Sequence, residues 1–282
     1  MSSSAFRGAR GGAFAGTATM LLTLGVANSL PAQQQLAARV AAVGSGTAQF
    51  EFPARDGVCG DGRSYIRVND SWSGSFDSSR DRPACEPGPV RIVLEIRNGR
   101  VTSLSDYAGP IPPLPNGVTE LGEVAAAEAS SYLLSLVESQ SDGRVVNRAV
   151  FPAMLARDVV AWPTLLRIAK ADAGGRRGRK HDVMFWLGQY AAAKAGGRDD
   201  PFASGAARTD GNDEESVKEH AVFALSQLRG GDGIDPLIQV ARTNKDPAVR
   251  AKAMFWLGES GDSRALALFE QVLTNRSPAP RG

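Results

Sequence analysis

Cysteine and histidine are scarce: the 282 residues hold two of each, Cys59, Cys85, His181 and His220. Two distant thiols offer too few ligands for a zinc site. Neither histidine belongs to an HxxxH pair or to a His/Asp/Glu cluster with ligand spacing, so the sequence implies no metal and no cofactor. Gly-x-Ser-x-Gly, P-loop and dinucleotide fingerprints are missing as well. The two histidines open equivalent helices of successive repeats, a placement that does not suit a nucleophilic triad, and no catalytic residue can be named. Asp61, Asp70, Asp77 and Asp81 fall in loops, but their spacing matches no calcium loop and they read as solvated carboxylates. Excess charge is lacking too. Without residues 1–32, which carry Arg7 and Arg10 and no acid, 30 basic side chains face 30 acidic ones. A nucleic-acid binder needs a basic footprint, so this charge balance disfavours nucleic acid as a partner.

What is present begins with Arg7 and Arg10, then an apolar run from Ala13 to Ala27, then Leu30-Pro31-Ala32 and a polar Gln33-Gln34-Gln35. A basic start, a short apolar centre and a small residue before a polar stretch read as a secretory signal over 1–32, cleaved near Ala32. The run is short of the ~20 residues that a membrane anchor needs, and no later stretch is apolar enough to span. The expectation is an exported chain, periplasmic or extracellular, with no transmembrane segment once mature. In that setting Cys59 and Cys85 read as a disulfide.

Residues 33–46 read as a tether or short helix. From Thr47 the apolar period becomes two, through Gln49-Phe50-Glu51-Phe52, Ser64 to Val68 and Val90 to Ile96. Asn98-Gly99 then separates that last run from Val101 to Leu104, a strong hairpin signal because both turn positions favour positive φ. Residues 47–108 are therefore expected to form a small β-rich module stapled by Cys59–Cys85. It is marginal as an independent core and should lean on the first helices. Prolines between Gly109 and Pro115 exclude a helix there, making 109–118 a linker.

Beyond it the period is helical. Leu121 to Glu138 reads as one amphipathic helix, Val145 to Arg157 as its partner, and Trp162–Lys170 with Lys180–Lys194 as the next pair. One phrase recurs: Val183-Met184-Phe185-Trp186-Leu187-Gly188, Ala221-Val222-Phe223-Ala224-Leu225-Ser226 and Ala253-Met254-Phe255-Trp256-Leu257-Gly258. The first and third copies stand 70 residues apart, and Leu165 to Lys170 matches Leu237 to Arg242 at nearly the same offset. A helical pattern repeating near every 35 residues marks stacked helical hairpins. Asp235-Pro236 and Asp246-Pro247 each place a capping carboxylate before a proline at the first helical position. Gly261-Asp262 ends one helix and caps the next. Gly196 to Asp213 is glycine-rich and reads as an exposed loop where another helix belongs.

Asp246-Pro247-Ala248-Val249-Arg250, Ala253, Leu257-Gly258, Gly261-Asp262 and Ala265-Leu266 resemble the HEAT repeat. The resemblance runs over about 120–274 and is strongest in the last two units. It implies a mainly α chain, with a right-handed α-solenoid of four to five hairpins over 119–275, its repeated stretches lying side by side as parallel rods, and a disordered tail over 276–282. It also implies a non-catalytic scaffold whose partner is a protein or peptide. Asp235, Pro236, Asp246, Pro247, Val249, Gly258 and Asp262 would be the residues that build the repeat. Trp186, Gln189, Gln227, Arg250, Met254 and Trp256, from the second helices, are the candidate partner-binding residues. The Phe, Leu and Met positions of the recurring phrase read as core. Arg176 to Lys180 and the acid-rich 199–219 read as loops of opposite charge that can set the polarity of a docking surface. Two other readings compete. One is a structural envelope protein anchored through the β module. The other is a HEAT-like enzyme of lyase or glycosylase type, which export, zero mature charge and the missing acid-aromatic cluster disfavour.

Overall fold

The computed structural model describes residues 32–69, 71–74, 84–113, 115–139, 143–171, 177–202 and 213–275. The expected leader up to Pro31, the tail 276–282, Asp70, Asp77, Asp81 and the middle of the glycine-rich stretch (203–212) lie outside the described residues. Helices dominate, and a small β-rich region precedes most of them.

Helix α1 (Ala32–Ala42) buries Leu36 and Val40, four residues apart on one face. Strand β1 (Gly46–Phe52) follows, then β2 (Val58–Gly60), β3 (Tyr65–Val68), β4 (Ser71–Gly74), β5 (Glu86–Pro87), β6 (Val90–Arg97), β7 (Arg100–Ala108) and β8 (Val118–Glu123). They form two four-stranded sheets, ordered β7-β6-β1-β8 and β4-β3-β2-β5. In the first, alternation does the work: Ala48, Phe50 and Phe52 on β1 and Ile92, Leu94 and Ile96 on β6 are all buried. Asn98 and Gly99 join β6 to β7 with φ of 51° and 70°, the turn that their sequence calls for. In the second sheet a disulfide links Cys59 on β2 to Cys85, just before β5.

The chain does not leave the sheet for good at its prolines. Strand β8 returns to lie parallel to β1, so the expected helix from Leu121 is corrected: residues 118–123 are strand, and helix α2 starts at Ala126. Gly117 and Gly122 take φ of 82° and 71°, which an α-helix cannot contain, whereas the β-branched Val118 and Thr119 suit a strand. The expected 109–118 linker is thus a loop inside one folded body.

Helices α2 (Ala126–Ser139) and α3 (Gly143–Met154) pack on this sheet, with the ring of Tyr132 edge-on to Phe50, centroids 6.1 Å apart. A second seam fastens the two parts. The Arg55 N–H donates to the Leu155 carbonyl (2.8 Å) and the Arg157 N–H donates to the Pro53 carbonyl (3.1 Å). One apolar core runs from Leu36 through to Leu273.

Helices α4 (Trp162–Ala171), α5 (Arg177–Ala195), α6 (Asp213–Ser226), α7 (Ile234–Thr243), α8 (Pro247–Ser260) and α9 (Leu266–Thr274) complete the fold. Arg177 to Lys180, expected in a basic loop, form the first turn of α5. Their caps are local chemistry. The Asp246 carboxylate accepts from the Ala248 N–H (2.9 Å), Pro247 begins α8, and Gly261 closes it at φ 62°. Asp262 accepts from the Arg264 N–H and starts the turn into α9. Asp235 departs from expectation: Gly233 occupies the capping position of α7 and Asp235 lies in the first turn, where its carboxylate pairs with Arg264 at 3.0 Å.

The recurring phrases are neighbours, but not as parallel rods. Helices α5 and α8 run antiparallel. A Cβ on Gly188 would meet Gly258 Cα and the Met254 carbonyl, one on Gly258 would meet Gly188 Cα and the Phe185 and Met184 carbonyls, and Gly261 faces His181. Gly188 and Met184 become Gly258 and Met254 when the repeat offset of 70 is added. Each copy therefore presents its glycine to the other copy's methionine turn, which is a local two-fold rotation. The neighbours obey it too: α9, which follows α8, packs on α5 and α4, while α6, which follows α5, packs on α8 and α7. The middle copy, in α6, lies on the side of α8 and not between the other two.

Candidate functional site

The six residues expected on one binding face fall in three places. Trp186 stacks on Phe151 (centroids 5.9 Å apart) and touches Phe202 (5.4 Å). Gln189 lies one helical turn further along, half-buried, its Nε2 without a partner among the described residues. Trp256 meets Phe223 across the α6–α8 contact at 5.2 Å, its Nε1 likewise buried and unpartnered. Gln227 is exposed just past α6. Arg250 and Met254 share the third place, a groove between helices. The single-face expectation is corrected for a geometric reason: residues 254 and 256 of one helix point about 200° apart, and Trp186 and Trp256 pack on different neighbours, Phe151 and Phe202 for the first and Phe223 for the second.

The groove that holds Arg250 and Met254 has a volume of about 550 Å³. Its floor is Ala195 at the end of α5, Ala241 near the end of α7, Met254, and Leu268 and Val272 of α9. Ala241, Met254 and Leu268 are almost wholly buried, so these positions give it an apolar base. The rim is Arg242, Arg250, Gln271 and Asn275. Positioning follows from one tight turn: Asn244-Lys245-Asp246 links α7 to α8 and sets the last turn of one beside the first turn of the other. The Arg250 guanidinium donates to the Asn244 and Lys245 carbonyls at 2.9 and 3.0 Å, which fixes its position at the mouth. Arg242 is exposed. No carboxylate lines this groove.

A second, larger cleft of about 900 Å³ opens at the seam between strands and helices. Arg55 crosses it, paired with Asp200, donating to the Met154 carbonyl at 3.1 Å and lying over the Phe202 ring at 4.8 Å. Asn69 donates its side-chain amide to the Phe202 carbonyl. These contacts tie the chain after α5 to the β region. Beside it, Glu51 carries a buried Oε2 with no partner among the described residues. Burial first, then Glu120 and Glu123, raises its pKa above the ordinary value, against Arg91. Asp61 behaves oppositely. Burial alone would raise it, but the Ser64 hydroxyl and the N–H groups of Ser64, Arg63 and Tyr65 hold it down at about 2.

Among the described residues no group of His, Cys, Asp and Glu is placed to hold a metal ion. No described helix is long and apolar enough to cross a membrane. His181 and His220 sit on separate helices, α5 and α6. Arg242, Leu268 and Gln271 escaped the sequence reading. The signal for Arg242 was present: it closes a helix three residues before the Lys245-Asp246-Pro247 start of the next.

Comparison with known families finds HEAT repeats over residues 206–281, the stretch that contains α6 to α9 and most of the groove. Neither the curated proteins nor the solved structures contain a match. HEAT repeats in general serve as protein-interaction elements, each stacked unit adding to an extended binding surface.

Proposed function

We propose that the chain is an exported, non-catalytic scaffold that binds a protein or peptide partner through its helical half. The observation that carries this reading is the groove of α5, α7, α8 and α9, which lies mostly within the HEAT-repeat stretch and combines an apolar floor with a polar rim. That is the anatomy of a recognition surface: a desolvated centre surrounded by groups that fix orientation. The surface proposed for the partner is this groove, and not the row of second helices first expected. Export is supported by the N-terminal pattern and by the paired cysteines.

Site-specific photocrosslinking tests the proposal. A photoreactive residue at Gln271 or Asn275, in the full chain expressed with its leader, should yield one recurrent adduct from the envelope fraction. The same residue at Glu95, an exposed position on β6, should not. Equal and diffuse labelling at both would sink the proposal.

A further inference from the structure

We infer that the groove of α5, α7, α8 and α9 recognises an acidic peptide segment, one that sets a carboxylate beside an apolar side chain. The inference rests on the binding reading above and adds the chemistry of the occupant.

The argument is charge set against shape. Nine residues line the groove; two are arginines and none is acidic. Helix ends modify that balance. The carboxyl ends of α5, α7 and α9 reach the groove through Ala195, Arg242 and Asn275, and each is equivalent to about −0.5 charge. The amino end of α8, at Arg250, returns about +0.5, and the charge of the Asp246 carboxylate that caps it is offset by the adjacent Lys245. Two arginines then leave the groove about one unit positive. Arg250 also quenches the α7 end directly, since it donates to the Asn244 and Lys245 carbonyls. Among the described residues, Glu270, next to Gln271, pairs with Lys170, and Asp199 pairs with Lys194.

Arg242, exposed and beside the floor, is the group that meets the carboxylate. Its planar fork suits that partner better than a lysine would. Below it the floor offers Met254, an unbranched side chain that adapts to varied apolar shapes. A volume of about 550 Å³ accommodates a few side chains of an extended segment, not a folded domain edge.

The test is selection of a short random peptide library displayed on phage against the full chain, followed by titration of the enriched peptides by fluorescence anisotropy. Enriched sequences should place Asp or Glu next to Leu, Ile, Met or Phe. Arg242→Glu should weaken them about tenfold or more. The exposed Gln271 permits substitutions of opposite sign: Gln271→Lys should tighten binding and Gln271→Glu should weaken it, with all affinities falling as salt rises. Enriched peptides that are basic or uncharged, or that bind Arg242→Glu and Gln271→Glu as well as the parent, would overturn the acidic-segment inference while leaving peptide binding standing. No enrichment at all would overturn both.

Discussion

Replacing Gly188 by alanine probes the tightest contact in the helical half. The new Cβ would lie 2.5 Å from Gly258 Cα and 3.0 Å from both Gly258 N and the Met254 carbonyl. Carbon atoms rest about 3.5–4.0 Å apart, and all three opposing atoms are backbone, so no side chain can swing aside. Helices α5 and α8 must separate by about 1 Å, disturbing the packing of Met184, Leu187, Met254 and Leu257, all buried on these two helices. Overpacking of this kind costs about 1–3 kcal/mol, and the forced separation of two backbones sits at or above the upper end. Alanine returns about 1 kcal/mol of helix propensity. The expected net loss is about 2 kcal/mol, which lowers Tm by about 4–8 °C. Thermal and urea unfolding followed by circular dichroism would measure it. Gly258→Ala, the rotated equivalent at 2.9 Å from Gly188 Cα, should cost a similar amount. The double variant should cost less than the sum, because one separation relieves both clashes. Gly143→Ala is the control: nothing lies within 4 Å of its Cβ, and it should be neutral or slightly stabilising. If Gly188→Ala instead stabilises as Gly143→Ala does, the two backbones are not in contact and the two-fold pairing is refuted.

Replacing both Cys59 and Cys85 by alanine opens a link spanning 26 residues and should cost about 3–4 kcal/mol on the chain-entropy model, with exchange protection lost first in β5. Asp246→Ala removes the carboxylate that accepts from Ala248 and should cost about 1 kcal/mol, read as a drop in the urea midpoint. Glu51→Gln should raise Tm at neutral pH. Because the folded-state pKa of Glu51 is raised, its ionisation penalises the fold above the ordinary 4.5. The gain should shrink as pH falls below that value, where glutamate and glutamine are both neutral; a gain that persists in acid would contradict the assigned cause. Arg55→Ala should speed amide exchange over residues 198–202, which its contacts with Asp200 and Phe202 hold to the β region; unchanged exchange would show that the seam does not depend on it.

Local chemistry was legible in the residues themselves. Asn98-Gly99 wrote its hairpin, Asp246-Pro247 and Gly261-Asp262 wrote their helix ends, and Trp162–Lys170 carried its period openly. Strand β8 was not legible, since six residues that follow a run of prolines and contain Gly122 fit no clean period, and its pairing to β1 spans about seventy residues of chain. The sense of α5 against α8 was hidden for a deeper reason. A repeat in sequence states that two units are alike; it does not state whether translation or rotation relates them. Gly188 and Gly258 hinted at close approach, but a glycine looks the same from either direction. The groove was half visible through Arg250 and Met254, while Arg242, Leu268 and Gln271 join it only once α7 and α9 converge.

The rotation that relates the two hairpins bears on how such a protein can lengthen. A column assembled by shifting one unit along an axis always offers a vacant place for the next, so copying a single hairpin extends it. Two hairpins turned face to face, each roofed by the helix that trails the other, consume their own joining surfaces. A further copy of α7–α8 inserted after α9 would find the partner position on α5 already taken, so growth of this fold would have to proceed by whole pairs.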